Sequence, residues 1–246
     1  IECMSFDGLV ASLLEGTAVL GVMAIENTIA GSIIPNYALI DKNNLHIIGE
    51  EYLNIHHHLM ALQGQKIMDI KEVWSHPMAL LQCKEFFKKY PHIKLVEDVD
   101  TAEVAKRISK ENLSGIAAIA PKIAAEIFKL SILEDEIQTI KDNATRFVIV
   151  QTSEPTNGID QINKASLKFQ LDHKRGSLAA ILNVLSDCKM SLTKIQSLPV
   201  IETPWKYSFF VDVTFESYQE YKKAVTIIAI MAEEFKVLGT YKNGRK

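Results

Sequence analysis

The chain has 246 residues, of which 48% are hydrophobic, and its formal net charge is -3. This composition is typical of a globular protein with one large or two smaller domains. The weak negative charge argues against nucleic acid or an anionic membrane as a partner, and no apolar run is long enough to cross a bilayer. Three widely spaced cysteines, Cys3, Cys83 and Cys188, and the lack of a signal-peptide pattern predict a reduced, cytoplasmic protein.

Strand-like and helix-like patterns alternate through about residue 150, which predicts an α/β domain. Leu9, Val10, Leu13 and Leu14 share one face of a predicted helix over 6–15. The other elements predicted in this part are strands over 18–25, 71–75, 94–96, 116–120 and 145–151, two strands within 45–62, and helices over 32–40, 77–89, 101–110 and 121–130.

The composition changes after residue 151. The segment 152–158 is polar and rich in turn formers, so we expect a linker over 152–163 between domains at 1–151 and 164–246. The second domain is predicted to contain strands over 165–171, 191–197, 207–215 and 237–241 and helices over 177–188 and 218–235. This βαββαβ order predicts a ferredoxin-like module, a fold that serves many functions.

Polar side chains stand at the start of the predicted strand over 145–151, in front of its apolar residues. Thr145 carries a hydroxyl, and Arg146 carries a planar set of donors that suits a carboxylate. Asn143 is a turn former, so this cluster is expected on a loop. A ligand-binding loop and a simple turn into a strand both fit the pattern.

A second polar cluster, Glu26-Asn27-Thr28, follows the predicted strand over 18–25. Open α/β sheets bind ligands at the carboxyl ends of their strands. Thr28 or Ser32 is predicted to cap the next helix, whose free N–H groups would favour an anion. The alternative is that these residues only cap the helix and form the turn.

Ser75-His76-Pro77 lies between another predicted strand and helix. Pro77 suits the first helical turn, and Ser75 or His76 is expected to cap it. Neighbouring side chains diverge, and no orienting carboxylate is identified, so a serine nucleophile with a histidine base is not favoured. A capped helix and a polar loop at a ligand site both remain open.

The run His56-His57-His58 raises the question of a metal. On a strand, His56 and His58 would share one face, which makes an incomplete ligand set without a carboxylate or cysteine nearby. A structural role is favoured over a metal site. No glycine-rich nucleotide-binding motif follows a strand.

Four stretches together resemble the prephenate dehydratase family. They are 26–33, 75–83, 142–147 and the C-terminal module, which resembles an ACT domain in its segments 176–178, 192–199 and 207–212. The resemblance covers nearly the whole chain. The Asn-x-Thr-Arg-Phe and Ser-His-Pro elements are its more specific parts.

The resemblance implies a two-lobed catalytic domain similar to type II periplasmic binding proteins, followed by a βαββαβ ACT domain. It implies decarboxylation and dehydration of prephenate to phenylpyruvate in a cleft, without cofactor or metal, and Thr145 corresponds to the catalytic threonine. A threonine is a weak acid, so we expect it to assist loss of the hydroxide within a network. The expected substrate-binding residues are Glu26, Asn27, Thr28, Ser75, His76, Asn143, Arg146 and Phe147.

The resemblance also implies regulation by L-phenylalanine and assembly into a homodimer or homotetramer. The residues expected at the effector site are Gly176, Ser177, Leu178, Gln196, Ser197, Leu198 and Pro199. The family usually has Glu-Ser-Arg-Pro where this chain has Gln-Ser-Leu-Pro, and Pro where it has Arg175. Regulation is therefore a weaker inference than the dehydratase activity.

The family normally opens with a strand and a Gly-x-x-Gly-[Ser/Thr] loop, and no such element precedes Ile1 in the sequence. A molecule without it would lack one strand and part of the cleft. Two other functions fit the residues. One is arogenate dehydratase, which shares the motifs, and the other is a non-catalytic small-molecule sensor.

Overall fold

The structure is a computed structural model that describes residues 1–154, 162–172, 174–200, 203 and 206–245. Residues 155–161 of the expected linker lie outside this range. The chain divides into two compact units. The first unit contains Ile1–Asn27, Gly31–Leu53 and Thr145–Lys246, and the second contains Thr28–Ala30 and Asn54–Ala144.

Most of the predicted elements are present, with boundaries shifted by a few residues. The helices are α1 (Phe6–Leu14), α2 (Ile34–Lys42), α3 (Pro77–Phe87), α4 (Thr101–Glu111), α5 (Lys122–Phe128), α6 (Ser177–Asp187) and α7 (Tyr218–Met231). The strands are β1 (Gly21–Asn27), β2 (Gly31–Ser32), β3 (His46–Asn54), β4 (His58–Ala61), β5 (Glu72–Ser75), β6 (Lys94–Glu97), β7 (Ile116–Ala120), β8 (Ser131–Glu134), β9 (Ala144–Gln151), β10 (Lys164–Gln170), β11 (Ser191–Pro199), β12 (Tyr207–Thr214) and β13 (Glu234–Tyr241).

The first unit contains a sheet of strand order β2-β1-β9-β3. β1 and β9 run antiparallel, which brings together residues 118 positions apart in the chain. In this register Glu26 lies opposite Arg146, and Asn27 lies opposite Thr145. The two polar clusters noted in the sequence therefore meet across one pair of strands.

The C-terminal part of the first unit has the predicted βαββαβ order. Its antiparallel sheet has the order β11-β12-β10-β13, and α6 and α7 share its apolar core. The second helix was predicted to run to residue 235 but ends at Met231. Phe235 instead pairs with Phe169 in the sheet, so strand pairing overrides the helix propensity of the intervening Ala and Glu residues.

This C-terminal module packs onto the first sheet through a common core. Phe210, Leu238 and Tyr241 belong to the same buried cluster as Met23 and Val148. The approach is close at Gly239, where a Cβ atom would lie 1.9 Å from the carbonyl oxygen of Ile47. The absence of a side chain at this position allows the two backbones to meet.

The second unit contains a five-stranded mixed sheet of order β6-β5-β7-β4-β8. β5 is parallel to β6 and β7, while β4 is antiparallel to β7 and β8. Its two apolar clusters contain residues of α3 and of α4 and α5, respectively. β8 was not predicted from the sequence, and it is defined by pairing with β4. No helix in the described part of the chain is long and apolar enough to span a membrane.

Candidate active site

Thr145 and Asn27 form a hydrogen-bonded pair in the first unit. The Asn27 Nδ2 donates to Thr145 Oγ1 over 3.1 Å. Both side chains are half-buried, and the register of β1 and β9 holds them opposite each other. The Thr145 hydroxyl accepts this bond and so retains its own proton for donation.

Glu26 precedes Asn27 and lies between two cations. Its Oε1 is 2.7 Å from Lys194 Nζ, and its Oε2 is 4.0 Å from Arg146 Nη1. The Glu26 side chain is 35% exposed, whereas Lys194 is 9% exposed. The carboxylate is thus anchored at one oxygen by a lysine of the C-terminal module.

Arg146 lies in the interior of the first unit and is bound by protein carboxylates. Its Nε donates to Glu50 Oε2 over 2.6 Å, its Nη1 donates to Asp212, and its Nη2 donates to the Tyr241 hydroxyl over 2.9 Å. Its side chain is 4% exposed. This placement does not agree with the prediction that Arg146 binds a carboxylate of the substrate, because the side chain is buried and each of its three nitrogens already donates to a group of the protein.

The two carboxylates that bind Arg146 also bind a second cation and a hydroxyl. Lys164 Nζ lies 2.9 Å from Glu50 Oε1, and Ser166 donates to Asp212. Burial lowers the pKa of Arg146, but the opposing effects of Asp212, Tyr241 and Glu50 are larger, so its pKa is raised. Arg146 therefore stays charged, as buried arginine beside carboxylates should.

Thr28 and Asn143 form a second polar pair, which belongs to the second unit. The Thr28 Oγ1 donates to Asn143 Oδ1 over 3.3 Å and accepts from the Ala144 amide over 3.0 Å. The prediction that Thr28 or Ser32 caps the next helix is wrong, because α2 begins after Ile33 and has no side-chain cap. Thr28 instead fastens its segment to the residues that precede Thr145 in the chain.

Gln82 was not predicted as a site residue, but it contacts two polar side chains, those of Asn143 and His57. Its Oε1 accepts from Asn143 Nδ2 over 3.0 Å and lies 2.9 Å from His57 Nε2. Gln82 lies within the stretch 75–83 that carries the family resemblance, and it is half-buried on α3. The sequence feature that could have indicated Gln82 is its position as a polar residue next to the apolar face of α3.

The three adjacent histidines have separate partners. His58 Nδ1 contacts Asp135 Oδ1 at 3.0 Å, and His56 Nδ1 lies 3.5 Å from Glu136 Oε1. β4 begins at His58, so the expected strand alternation does not apply to His56. Within the described ranges, no group of three or more His, Cys, Asp or Glu side chains is arranged to hold a metal ion.

His57 is held as a neutral ring. Burial is the main cause that lowers its pKa, and this outweighs the hydrogen bond with Gln82. Because Gln82 Oε1 is an acceptor, His57 Nε2 carries the proton, and the buried Nδ1 has no hydrogen-bond partner among the described residues. A second proton on Nδ1 would therefore be buried without an acceptor.

Ser75 and His76 have different surroundings although they are adjacent. Ser75 is buried and donates to the Ile119 carbonyl over 2.7 Å. His76 is exposed, and its Nδ1 accepts from the Met78 amide over 3.2 Å, which confirms the predicted capping of α3. The Ser75 hydroxyl therefore does not contact the imidazole next to it. Phe147 lies half-buried on β9 opposite Ala24.

The residues expected at the effector site divide between two places in the C-terminal module. Ser177 and Leu178 line a cavity of about 380 Å³ together with Tyr207, Phe209 and Glu233. Gly176 precedes α6 with a φ of +84°, which favours glycine. The segment 196–199 lies on β11, which is the edge strand of its sheet.

Comparisons with known proteins give a consistent family. The family model described as prephenate dehydratase matches residues 1–155. Arogenate dehydratase/prephenate dehydratase 2 of Arabidopsis thaliana is 35% identical over 98% of this chain and 66% of its own length. The chain spans slightly less than two thirds of the length of the curated relatives it matches, between 62% and 66% for the first three.

Two solved structures share the fold over almost the whole chain. GqqA, described as a novel type of quorum-quenching acylase, has a TM-score of 0.87 at 25% identity, covering 98% of this chain and 88% of that one. Prephenate dehydratase from Arthrobacter aurescens in complex with L-Phe has a TM-score of 0.86 at 24% identity, covering 99% and 81%.

The lowered pKa of His57 predicts a pH-dependent stability. Unfolding restores a pKa near 6.5, so the unfolded chain binds the proton first as the pH falls, and the free energy of unfolding decreases below about pH 6.5. We expect His57→Gln to reduce this decrease between pH 7.5 and 5.5 in urea denaturation. His92→Gln at an exposed site is the control, and an equal change in both variants would contradict the assignment.

Removing the Arg146 side-chain charge is expected to destabilise the protein strongly. Arg146→Met leaves Asp212 buried without its cation and Glu50 with Lys164 as its remaining cation, which costs about 3–5 kcal/mol of unfolding free energy. Lys94→Met breaks a surface ion pair with Glu72 and is expected to cost at most about 1 kcal/mol. A normally stable Arg146→Met protein with a raised KM would show that Arg146 binds substrate after all.

Proposed function

Because this chain belongs to the prephenate dehydratase family, we propose that it converts prephenate to phenylpyruvate. The reaction is a carbon–oxygen lyase reaction that releases carbon dioxide and water. The bond between the ring and its carboxylate breaks, the electron pair enters the ring, and the hydroxyl on the opposite ring carbon leaves as hydroxide, which takes up a proton that comes from the solvent. The ring becomes aromatic without any change that requires an oxidant or reductant.

The hydrogen bond between Asn27 and Thr145 is the observation that carries this proposal. The hydroxide is a poor leaving group unless a donor stabilises the developing charge. Asn27 occupies a lone pair of Thr145 Oγ1, which directs the Thr145 proton away from Asn27 and polarises the O–H bond. We assign to Thr145 the donation of this hydrogen bond to the departing hydroxyl.

The other proposed substrate contacts follow from the remaining polar groups. His76 accepts through Nδ1 in the helix cap, so its neutral ring carries the proton on Nε2 and is a donor for a substrate carboxylate. Asn27, Thr28 and Asn143 supply amide and hydroxyl groups. Glu26, Ser75 and Phe147 stay among the proposed substrate-binding residues because the family resemblance implies them. Arg146 is proposed to support β9 from the interior.

Arogenate is the alternative substrate. It differs from prephenate by an amino group in place of the side-chain keto oxygen, and the elimination is the same. The name of the Arabidopsis relative includes both activities. Parallel assays with prephenate and arogenate, followed by detection of phenylpyruvate and phenylalanine, decide between them.

Two other functions have weaker support. A sensor without activity would bind prephenate or phenylalanine but form no product. An acylase activity, by which the GqqA structure is described, would need an activated nucleophile if it used a serine mechanism. The Ser75 hydroxyl donates to a backbone carbonyl instead of to a base, which does not favour a serine mechanism.

We expect Thr145→Ala to lower kcat for prephenate by about 10²–10³-fold, because one donor to the developing charge is lost. The melting temperature should stay close to that of the unchanged protein, since Thr145 is half-buried and loses only one side-chain bond. Thr145→Ser keeps the hydroxyl and is the matched control that should retain much of the rate. Unchanged turnover in Thr145→Ala would exclude the proposed role.

We propose further that the C-terminal module is an ACT domain that binds L-phenylalanine and that the catalytic part has the fold of type II periplasmic binding proteins. The cavity lined by Ser177 and Leu178 supports an effector site. The structurally similar dehydratase from Arthrobacter aurescens is described in complex with L-Phe. Assembly into a homodimer or homotetramer is part of the same proposal.

Inhibition by phenylalanine is expected to be weak or altered in this chain. Gln196 and Leu198 replace a carboxylate and a guanidinium of the usual family motif, so two charged groups are missing. Prephenate turnover measured against increasing L-phenylalanine should show a higher half-inhibitory concentration than in the double variant Gln196→Glu/Leu198→Arg. Strong inhibition of the unchanged protein at low phenylalanine would contradict this expectation.

A further inference from the structure

Lys194 extends from the C-terminal module to the end of β1. Its Nζ lies 2.7 Å from Glu26 Oε1 and donates to Ser32 Oγ over 2.8 Å, and it lies 5.7 Å from the centre of the Tyr37 ring. All these residues belong to the first unit. A side chain that is only 9% exposed and has three such partners is held in one position.

Lys194 contacts residues that determine the position of Asn27. Glu26 and Ser32 lie opposite each other in the pairing of β1 with β2, and Asn27 follows Glu26. The pairing of β1 with β9 then places Asn27 opposite Thr145. Lys194 thus contacts both β1 and β2 at the position next to the hydrogen-bonded pair of Asn27 and Thr145.

From this arrangement we propose that Lys194 is a positioning residue for the Asn27–Thr145 pair and acts through Glu26. The proposal rests on the proposed function of Thr145 as donor to the departing hydroxyl. Without the ammonium group, Glu26 loses its contact at 2.7 Å and retains an approach to Arg146 Nη1 at 4.0 Å. The carboxylate is then drawn toward Arg146, and the end of β1 moves with it.

A small displacement of this strand matters because a donor must meet the leaving oxygen at hydrogen-bond distance. Misplacement by about 1 Å can lower a rate by about 10²-fold. The effect should appear mainly in kcat, because Lys194 is assigned no contact with substrate. The C-terminal module would in this way contribute to catalysis even when no effector is bound.

Lys168 provides a matched control on the same module. Its side chain is 8% exposed, and its Nζ forms ion pairs of 2.7 Å with Asp41 of α2 and with Glu234. Lys168 therefore also connects the C-terminal module to the first part of the chain. Its partners lie away from residues 26–32 in the sequence and in the strand pairing.

The test compares Lys194→Met, Lys194→Arg and Lys168→Met in the full chain with prephenate as substrate. We expect Lys194→Met to lower kcat by roughly 10- to 100-fold with KM changed less than about threefold. Lys194→Arg, which keeps the charge, should recover most of kcat, and Lys168→Met should keep it. Equal losses in both methionine variants, or no loss in Lys194→Met, would overturn the proposal.

Amide hydrogen exchange gives a readout that does not depend on activity. Peptides that cover residues 22–32 and 144–148 should exchange about tenfold faster in Lys194→Met than in Lys168→Met. Unchanged exchange in both peptides would overturn the positioning role. If the unchanged protein does not turn over prephenate, the proposed function fails, and the exchange result still decides whether Lys194 holds the pair.

Discussion

Glu50 and Asp212 bind the guanidinium of Arg146 in the interior of the first unit, and this contact organises the structure around it. Glu50 lies on β3, Arg146 on β9 and Asp212 on β12, so one side chain connects two sheets. Buried charges are tolerated only when they are paired and hydrogen-bonded. Separating the C-terminal module from the first sheet would therefore break the ion pairs of Arg146 with Asp212 and of Lys164 with Glu50, and the common apolar core adds to this constraint.

Arg146 and Thr145 are neighbours on β9 but have different partners. Successive side chains on a strand point to opposite faces. Arg146 reaches the interior cluster, while Thr145 meets Asn27 on the adjacent strand. A hydroxyl that must donate at a defined distance benefits from a rigid support. Arg146, next to Thr145 on β9, contacts residues of the C-terminal module, and Lys194 is itself a residue of that module. Both side chains therefore link the Asn27–Thr145 pair to the C-terminal module.

The sequence predicted most helices and strands because their apolar periods are long enough to detect. It also brought residues 26–28, 75–77 and 142–147 into one hypothesis about a site. It failed where long-range contacts decide the outcome. The strand pairing of Phe235 ended a helix early, and β8 exists only through β4. Gln82 became a site residue only through the tertiary fold, which places both Asn143 Nδ2 and His57 Nε2 at its Oε1.

Local pattern by itself determined the fold class, the order of elements in the C-terminal module, the capping of α3 by His76 and the family resemblance around Thr145. These depend on residues close together in the chain. Tertiary structure alone decided what Arg146 and Lys194 do. A guanidinium near the start of a strand suits a ligand carboxylate or a buried aspartate equally well, because both offer the same oxygens. Only the packing of β3 and β12 against β9 supplied Glu50 and Asp212 as its partners, and only the pairing of β1 with β9 placed Asn27 at the Thr145 hydroxyl.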